Sequence, residues 1–186
     1  MILKLFTDLH IFGPLQIMTP QDLLLKIKDS DQTVLLGDIV DLKNCRKEDV
    51  GRAKDLILTL KGMCIYVTGN HELGFADLPT SSHLNKTFFS HSHLLSNFEK
   101  YSKWDLKYKE PGAGPFKRKV ITPLVDKLRR FKEVRPNQEL LENLKDLYDV
   151  ERVYLGHSHP PQNIDFRVGE AMVTILTRGE HDVFLQ

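Results

Sequence analysis

Five short apolar runs in this chain each stop at side chains that can bind a metal, and that repetition restricts what the chain can fold into. Val34-Leu35-Leu36 leads into Gly37-Asp38-Ile39-Val40-Asp41. Ile2-Leu3-Lys4-Leu5-Phe6 leads into Thr7-Asp8-Leu9-His10, and Cys64-Ile65-Tyr66-Val67 into Gly69-Asn70-His71-Glu72. Lys86-Thr87-Phe88-Phe89 leads into His91-Ser92-His93, and Val153-Tyr154-Leu155 into Gly156-His157-Ser158-His159. A short apolar run bounded by turn residues reads as a buried strand, and glycine lets such a strand end in a sharp turn. In open α/β sheets, ligands sit at the carboxyl ends of the strands. One Gly-Asp pair alone would be ordinary turn chemistry. Five runs that end in Asp, His and Asn, rather than in Ser, Lys or Pro, point to a shared site.

Helical patterns separate the first three runs. Residues 20–29 read as a helix with Thr19 as N-cap and Pro20 at its first position. Residues 50–61 read as a second, with Leu56, Ile57 and Leu60 on one face and Gly62 at its end. Between them, 42–49 is a polar loop. Strand alternating with helix predicts an α/β fold with parallel neighbours. After Pro160-Pro161, the segments 164–168, 171–177 and 180–185 read as antiparallel strands.

The texture differs between His91 and His157. Residues 94–104 read as helical, and Pro111-Gly112-Ala113-Gly114-Pro115 is a breaker cluster. Val120, Ile121, Leu124, Val125, Leu128 and Phe131 then follow helical spacing, as do Leu140, Leu141, Leu144, Leu147 and Tyr148. A helical hairpin inserted at about 94–150 is expected. Its charge is distinctive: residues 103–135 hold 11 Lys/Arg against 4 Asp/Glu, a balance of +7, whereas the rest of the chain holds 15 against 21, a balance of −6. The overall charge of +1 hides this division.

At 186 residues the chain has the length of one domain with a real core, and 1–186 is expected to be a single unit. No run approaches the roughly 18 apolar residues that span a bilayer, and Met1-Ile2-Leu3-Lys4 lacks the features of a signal peptide. Cys45 and Cys64 form no Cys-x-x-Cys pair. Reduced, inert thiols and a cytoplasmic location are therefore expected.

Asp, His and Asn supply oxygen and imidazole ligands of intermediate hardness, suited to Mn, Fe, Zn or Co rather than to a soft thiolate site. One carboxylate shared by two cations holds them about 3.5–4 Å apart, the spacing of two-metal hydrolases. Water shared by two such cations is acidified to hydroxide near neutral pH and can attack phosphorus in line. No motif residue has the surroundings of an activated Ser or Cys nucleophile.

Taken together, Asp8-x-His10, Gly37-Asp38-x-x-Asp41, Gly69-Asn70-His71-Glu72, His91 and Gly156-His157-x-His159 resemble the five ordered motifs of the calcineurin-like metallophosphoesterases. The resemblance runs from residue 8 to residue 159 and implies an α/β sandwich of two facing mixed sheets flanked by helices. It also implies two divalent metal ions, most often Mn, with Fe, Zn, Co, Ni or Mg as alternatives. Asp8, His10 and His159 would hold one metal, Asn70, His91 and His157 the other, and Asp38 would bridge them. His71 would stabilise the phosphoryl group and protonate the leaving oxygen. Asp41 and Glu72 would orient ligand imidazoles. In the family the fourth motif is usually followed by glycine; here Ser92 stands there, which leaves His93 as an alternative to His91. His83 and His181 belong to no motif and read as ordinary surface or loop histidines.

The insertion bears on the substrate. As a basic cap beside the metals it would bind a phosphorylated small molecule, with Lys117, Arg118 and Lys119 as the candidate cations; as a plain solvated face it would bind nothing. A small helical cap after the fourth motif is similar in layout to hydrolases of nucleotide-linked lipids. A basic amphipathic helix could also lie against an anionic membrane surface. Two rival functions remain open. One is a nuclease acting on DNA or RNA, with Tyr101, Lys103, Trp104 and Tyr108 interleaving cations and aromatics, although the overall charge and pI near 7.8 speak against it. The other is a metal-holding scaffold without turnover.

Overall fold

Alternation along each apolar run decides which layer its side chains join. The computed structural model describes residues 2–72, 74–91, 111–115, 117–124 and 149–184. In chain order the elements are β1 (Ile2–Thr7), α1 (Pro20–Lys28), β2 (Thr33–Leu36), α2 (Val50–Lys61), β3 (Ile65–Val67), β4 (Ser81–Leu84), β5 (Thr87–Ser90), β6 (Arg152–Leu155), β7 (Ile164–Val168), β8 (Ala171–Ile175) and β9 (Gly179–Phe184). They form a four-stranded sheet, β3-β2-β1-β9, and a five-stranded sheet, β4-β5-β6-β8-β7.

Leu3, Leu5, Val34, Leu36 and Val67 point to one side of the first sheet and meet Phe89, Leu84 and Tyr154 of the second. This is the inside of the sandwich. Phe6, Leu35 and Tyr66, one step out of phase, face the helices and pack on Leu23 and Ile27 of α1 and on Ala53, Leu56, Ile57 and Leu60 of α2. The period-2 alternation of the strands and the helical spacing of α2 thus meet in one core. Thr19 caps α1: its hydroxyl accepts the Asp22 N–H and donates to the Asp22 carboxylate, with Pro20 following in the first helical position.

The carboxyl-terminal strands depart from the expected arrangement. β7 and β8 are antiparallel to each other, but β8 runs parallel to β6. The last strand leaves that sheet altogether and pairs antiparallel with β1. In this register Lys4 lies directly opposite Asp182 and reaches both Asp182 (2.7 Å) and Glu180 (3.0 Å), while Val183 is buried with Leu3 and Leu5. β4 was not expected, because Ser81-Ser82-His83-Leu84 lacks an apolar alternation; it is an edge strand, where packing asks less of the side chains.

Most of the expected helical hairpin, together with His93, Tyr101, Lys103, Trp104 and Tyr108, lies outside the described residues. Within the described part, Lys117–Ile121 forms a π-helical turn. Val120, Ile121 and Leu124 are 48%, 43% and 55% exposed, and the stretch at 137–148 on which they were expected to pack lies outside the described residues. Among the described residues no helix is long and apolar enough to cross a membrane.

Two leucines check this layering. Leu5→Ala, inside the sandwich, is expected to lower unfolding stability by about 2–5 kcal/mol. Leu25→Ala, on the outer side of α1, is expected to change it by no more than about 0.5 kcal/mol. Urea unfolding of the two variants measures both.

Candidate metal centre

All five motif loops leave the carboxyl ends of strands that are parallel within their sheets: β1, β2 and β3 in one, β5 and β6 in the other. The two sheets present these ends side by side, so residues up to 151 positions apart become neighbours. Gly156, after β6, meets the end of β1 so closely that a Cβ would run into the Thr7 hydroxyl. Gly37 turns with φ +71°, and a Cβ there would strike the His91 ring.

Asp8, His10 and His159 form one trio of ligand atoms within 4.8 Å of one another, and Asp38, His91 and His157 form another. All six are buried. Asp8 uses its two oxygens differently. Oδ2 accepts the His157 backbone N–H (3.0 Å) and lies 2.6 Å from the Thr7 hydroxyl, while Oδ1 faces His159 Nε2 at 2.8 Å and His91 Nε2 at 3.2 Å. Asp38 repeats the division: Oδ1 accepts the His71 N–H at 2.8 Å, while Oδ2 faces His91 Nε2 at 3.5 Å and His71 Nε2 at 3.8 Å. Each carboxylate is anchored by one oxygen and offers the other to the imidazoles.

Burial works against the charge of Asp8, but His159 and His91 hold its carboxyl well below the usual range. Asp38 is likewise held low, by His71 and His91 against burial. Burial lowers the pKa of His10. It opposes the charged form of His91 too, but Asp38 and Asp8 outweigh it there and raise the pKa.

The donor set fits divalent metal ions. His10 Nε2 and His159 Nε2 stand 3.4 Å apart and converge on Asp8, an arrangement in which only one ring can donate to the other. Asn70 Oδ1 is buried without a hydrogen-bond partner. Asn70 sits between Gly69, whose Cα lies against Asp38, and His71, whose N–H binds Asp38. Buried polar atoms left open in this way are what a cation would satisfy.

A third trio, His10, Asp41 and His71, differs, because the Asp41 oxygens are already engaged by the protein. Oδ1 accepts the Asn44 N–H (2.9 Å), the Asn44 side-chain amide (3.1 Å) and His71 Nδ1 (2.7 Å); Oδ2 lies 3.6 Å from His10 Nδ1. Asp41 therefore contacts two of the site's imidazoles. Burial alone would lower the His71 pKa, but Asp38 and Asp41 overcome it and raise it.

Glu72 does something else than expected. Among the described residues it bonds to no imidazole; it accepts the backbone N–H groups of Asp38 (3.0 Å), Ile39 (2.7 Å), Val40 (3.2 Å) and Gly69 (2.7 Å), and the Tyr66 hydroxyl (3.0 Å). It orients the backbone of two motif loops. The sequence reading also missed Asn44, Thr7 and Arg178. Arg178 Nε donates to the Asp8 carbonyl (3.2 Å) and its Nη2 to the Leu15 carbonyl. Their signal was weak, for Thr7 precedes the first motif and Asn44 follows the second by only three residues, but Arg178 lies far from any motif.

Of the remaining candidates, Arg118 and Lys119 line a cleft next to the loop that follows Asp41, and Lys117 is not among its lining residues. Cys45 and Cys64 are free, and burial pushes their thiols up to about 11 and about 12, which suits inert residues.

A family model described as calcineurin-like phosphoesterase matches residues 1–161. No curated protein matches the sequence. Among solved structures, the chain is similar to a predicted phosphoesterase from Streptococcus pneumoniae, at 13% identity and TM-score 0.47, over 95% of this chain and 72% of that one. It is similar to zinc-complexed Vps29 from Entamoeba histolytica, at 16% and 0.46, over 96% and 74%. It is also similar to a cold-active protein-tyrosine phosphatase from a Shewanella species, at 14% and 0.46, over 92% and 70%.

The contact between His71 and Asp41 can be checked directly. In the metal-free protein, Asp41→Asn removes a negative partner that favours the imidazolium, so the His71 pKa is expected to fall below its value in the parent. Histidine proton resonances followed through a pH titration report the shift; an unchanged His71 would contradict the pairing.

Proposed function

The chain belongs to the calcineurin-like phosphoesterase family, and from that membership we propose that it hydrolyses a phosphate ester, phosphodiester or pyrophosphate at two divalent metal ions. One observation carries the reading: six buried ligand side chains from four loops gather in two trios built on Asp8 and Asp38. In this reading Asp8, His10 and His159 would hold one ion, Asn70, His91 and His157 the other, and Asp38 would be shared by both. Bound there, two cations would supply acidified water and neutralise the phosphoryl oxygens. Manganese is the ion we favour, and a cytoplasmic location agrees with two free thiols.

His71 is the proton donor of the proposal. Asp41 accepts from Nδ1, so the transferable proton sits on Nε2, the nitrogen on the side of Asp38. Asn44 holds Asp41, and through it the ring. As the P–O bond breaks, Nε2 gives its proton to the departing oxygen and leaves a neutral imidazole with Nδ1 still bound to Asp41. Burial excludes bulk water from competing for that proton. The cations near the cleft, Arg118 and Lys119 with Lys117 beside them, would hold a remote anionic part of the substrate.

Two variants test this. Asp38→Asn is expected to weaken retention of both metals together; elemental analysis that finds two tightly held ions would remove Asp38 as the shared ligand. His71→Ala is expected to keep the metals and to lower turnover of an alkyl phosphodiester by about 100- to 10,000-fold. The loss should be smaller for bis(p-nitrophenyl) phosphate, whose leaving group needs little protonation. Steady-state rates with manganese decide it, and a parent that turns over neither ester would be a scaffold rather than an enzyme.

A further inference from the structure

A cleft of about 930 Å3 lies against the loop that carries Asp41, and four of its lining residues are cations: Arg46, Lys47, Arg118 and Lys119. Its walls are fixed to the flank of the metal centre where His71 stands. The first wall is the loop after Asp41, in which the Cys45 N–H donates to the Asp41 carbonyl (2.9 Å) and Asn44 grips the Asp41 carboxylate. The second begins at Pro14, next to Gly13, where a Cβ would run into the Asp41 side chain. The third is formed by residues 113–115 with Arg118 and Lys119, and it docks through two backbone bonds, Gly112 N–H to the Leu42 carbonyl and Ala113 N–H to the Cys45 carbonyl, both 2.9 Å.

The charge of the cleft is lopsided. Among the described lining residues the sole carboxylate is Glu48, 4.0 Å from Arg46. Arg118 Nε is buried and has no hydrogen-bond partner. A buried guanidinium N–H without an acceptor is a costly arrangement that a phosphate, with its several acceptor oxygens, would relieve. Three prolines, Pro14, Pro115 and Pro123, give the same cleft rigid apolar surface. Apolar walls with a few placed charges suit an organic group that carries an anion, rather than a free inorganic ion.

We propose that this cleft receives the leaving portion of the substrate and that this portion carries a second phosphate, held by Arg46 and Arg118, on an organic group packed against the prolines. The proposal rests on the phosphoesterase reading above, since it is His71 as proton donor that makes this flank the leaving-group side. It narrows the substrate to one with phosphate at two places, one at the metals and one in the cleft. Arg46 and Lys47, which belong to no sequence motif, become specificity-determining residues.

Titration calorimetry of the metal-free protein with adenosine monophosphate, which offers one phosphate and one flat ring, tests the cleft without any turnover. The parent is expected to bind, and Arg46→Ser/Arg118→Ser to weaken binding by about tenfold or more, as the loss of charge-assisted hydrogen bonds implies. Added salt should weaken binding by the parent in the same direction. Arg46→Ser alone, at an exposed position, makes the same test should the half-buried Arg118 prove necessary for folding. No binding by the parent, or equal affinity in parent and variants, overturns the proposal. Turnover of bis(p-nitrophenyl) phosphate by the manganese-loaded parent reports on the phosphoesterase reading separately, because that ester has no second phosphate. Turnover with arginine-independent nucleotide binding removes the cleft alone; absence of turnover removes the hydrolytic reading and the leaving-group assignment with it.

Discussion

Two loops from different strands share one buried carboxylate, and the candidate site depends on that sharing. Every group that reaches Glu72 is a donor: three consecutive backbone N–H groups after β2, one after β3, and the Tyr66 hydroxyl. Left without an acceptor, each buried N–H would cost about 1–3 kcal/mol. The clamp therefore holds the Asp38 turn and the Asn70-His71 turn as one unit, and the bond from the His71 N–H to Asp38 Oδ1 closes it from the other side. Asp38 can keep one oxygen open only because its backbone needs nothing further from its side chain.

The site is built against the preferences of both backbone and solvent. Asp8, His10, Asp38, His157 and His159 all take left-handed backbone angles, with φ between 48° and 81°. Residues other than glycine rarely adopt that region, at a cost of roughly 1–2 kcal/mol each. Three carboxylates, Asp8, Asp38 and Asp41, are buried with their charges, which neighbouring imidazoles and a few backbone and side-chain donors compensate. Sandwich and helix packing on either side of the first sheet must supply the stability that offsets this. Backbone strain and buried charge concentrate where the loops meet, as expected of a region kept for chemistry rather than for folding.

What was legible in the sequence follows from which forces are local. The apolar runs, the Thr19 cap and the Leu56-Ile57-Leu60 face are set by neighbours in the chain, so they read directly as β1, β2, β3, α1 and α2. The ligand types were legible because strand ends repeat them. The path of β9 was not, since its place beside β1 rests on a ladder and on Val183 meeting Leu3 and Leu5 across nearly the whole chain. Glu72 was legible as a supporting residue but not in its contacts, because backbone N–H groups leave no trace in a residue pattern. Arg178 was invisible for a related reason: it donates to the backbone carbonyls of Asp8 and Leu15.

A segment outside the motifs can be attached to the site without using its side chains. The stretch at 112–113 is anchored to the loop after Asp41 by backbone groups on both partners. Gly112 takes φ +89°, which few other residues could follow. Side chains beyond that anchor, including Arg118 and Lys119, do not take part in the attachment and can change without loosening it. The loop they rest on is the one whose Asn44 fixes Asp41 and whose Asp41 fixes His71. Whatever occupies the cleft thus meets the loop that positions His71, and in the proposed reaction recognition of the remote part of a substrate would be tied to its reacting end through a single short stretch of backbone.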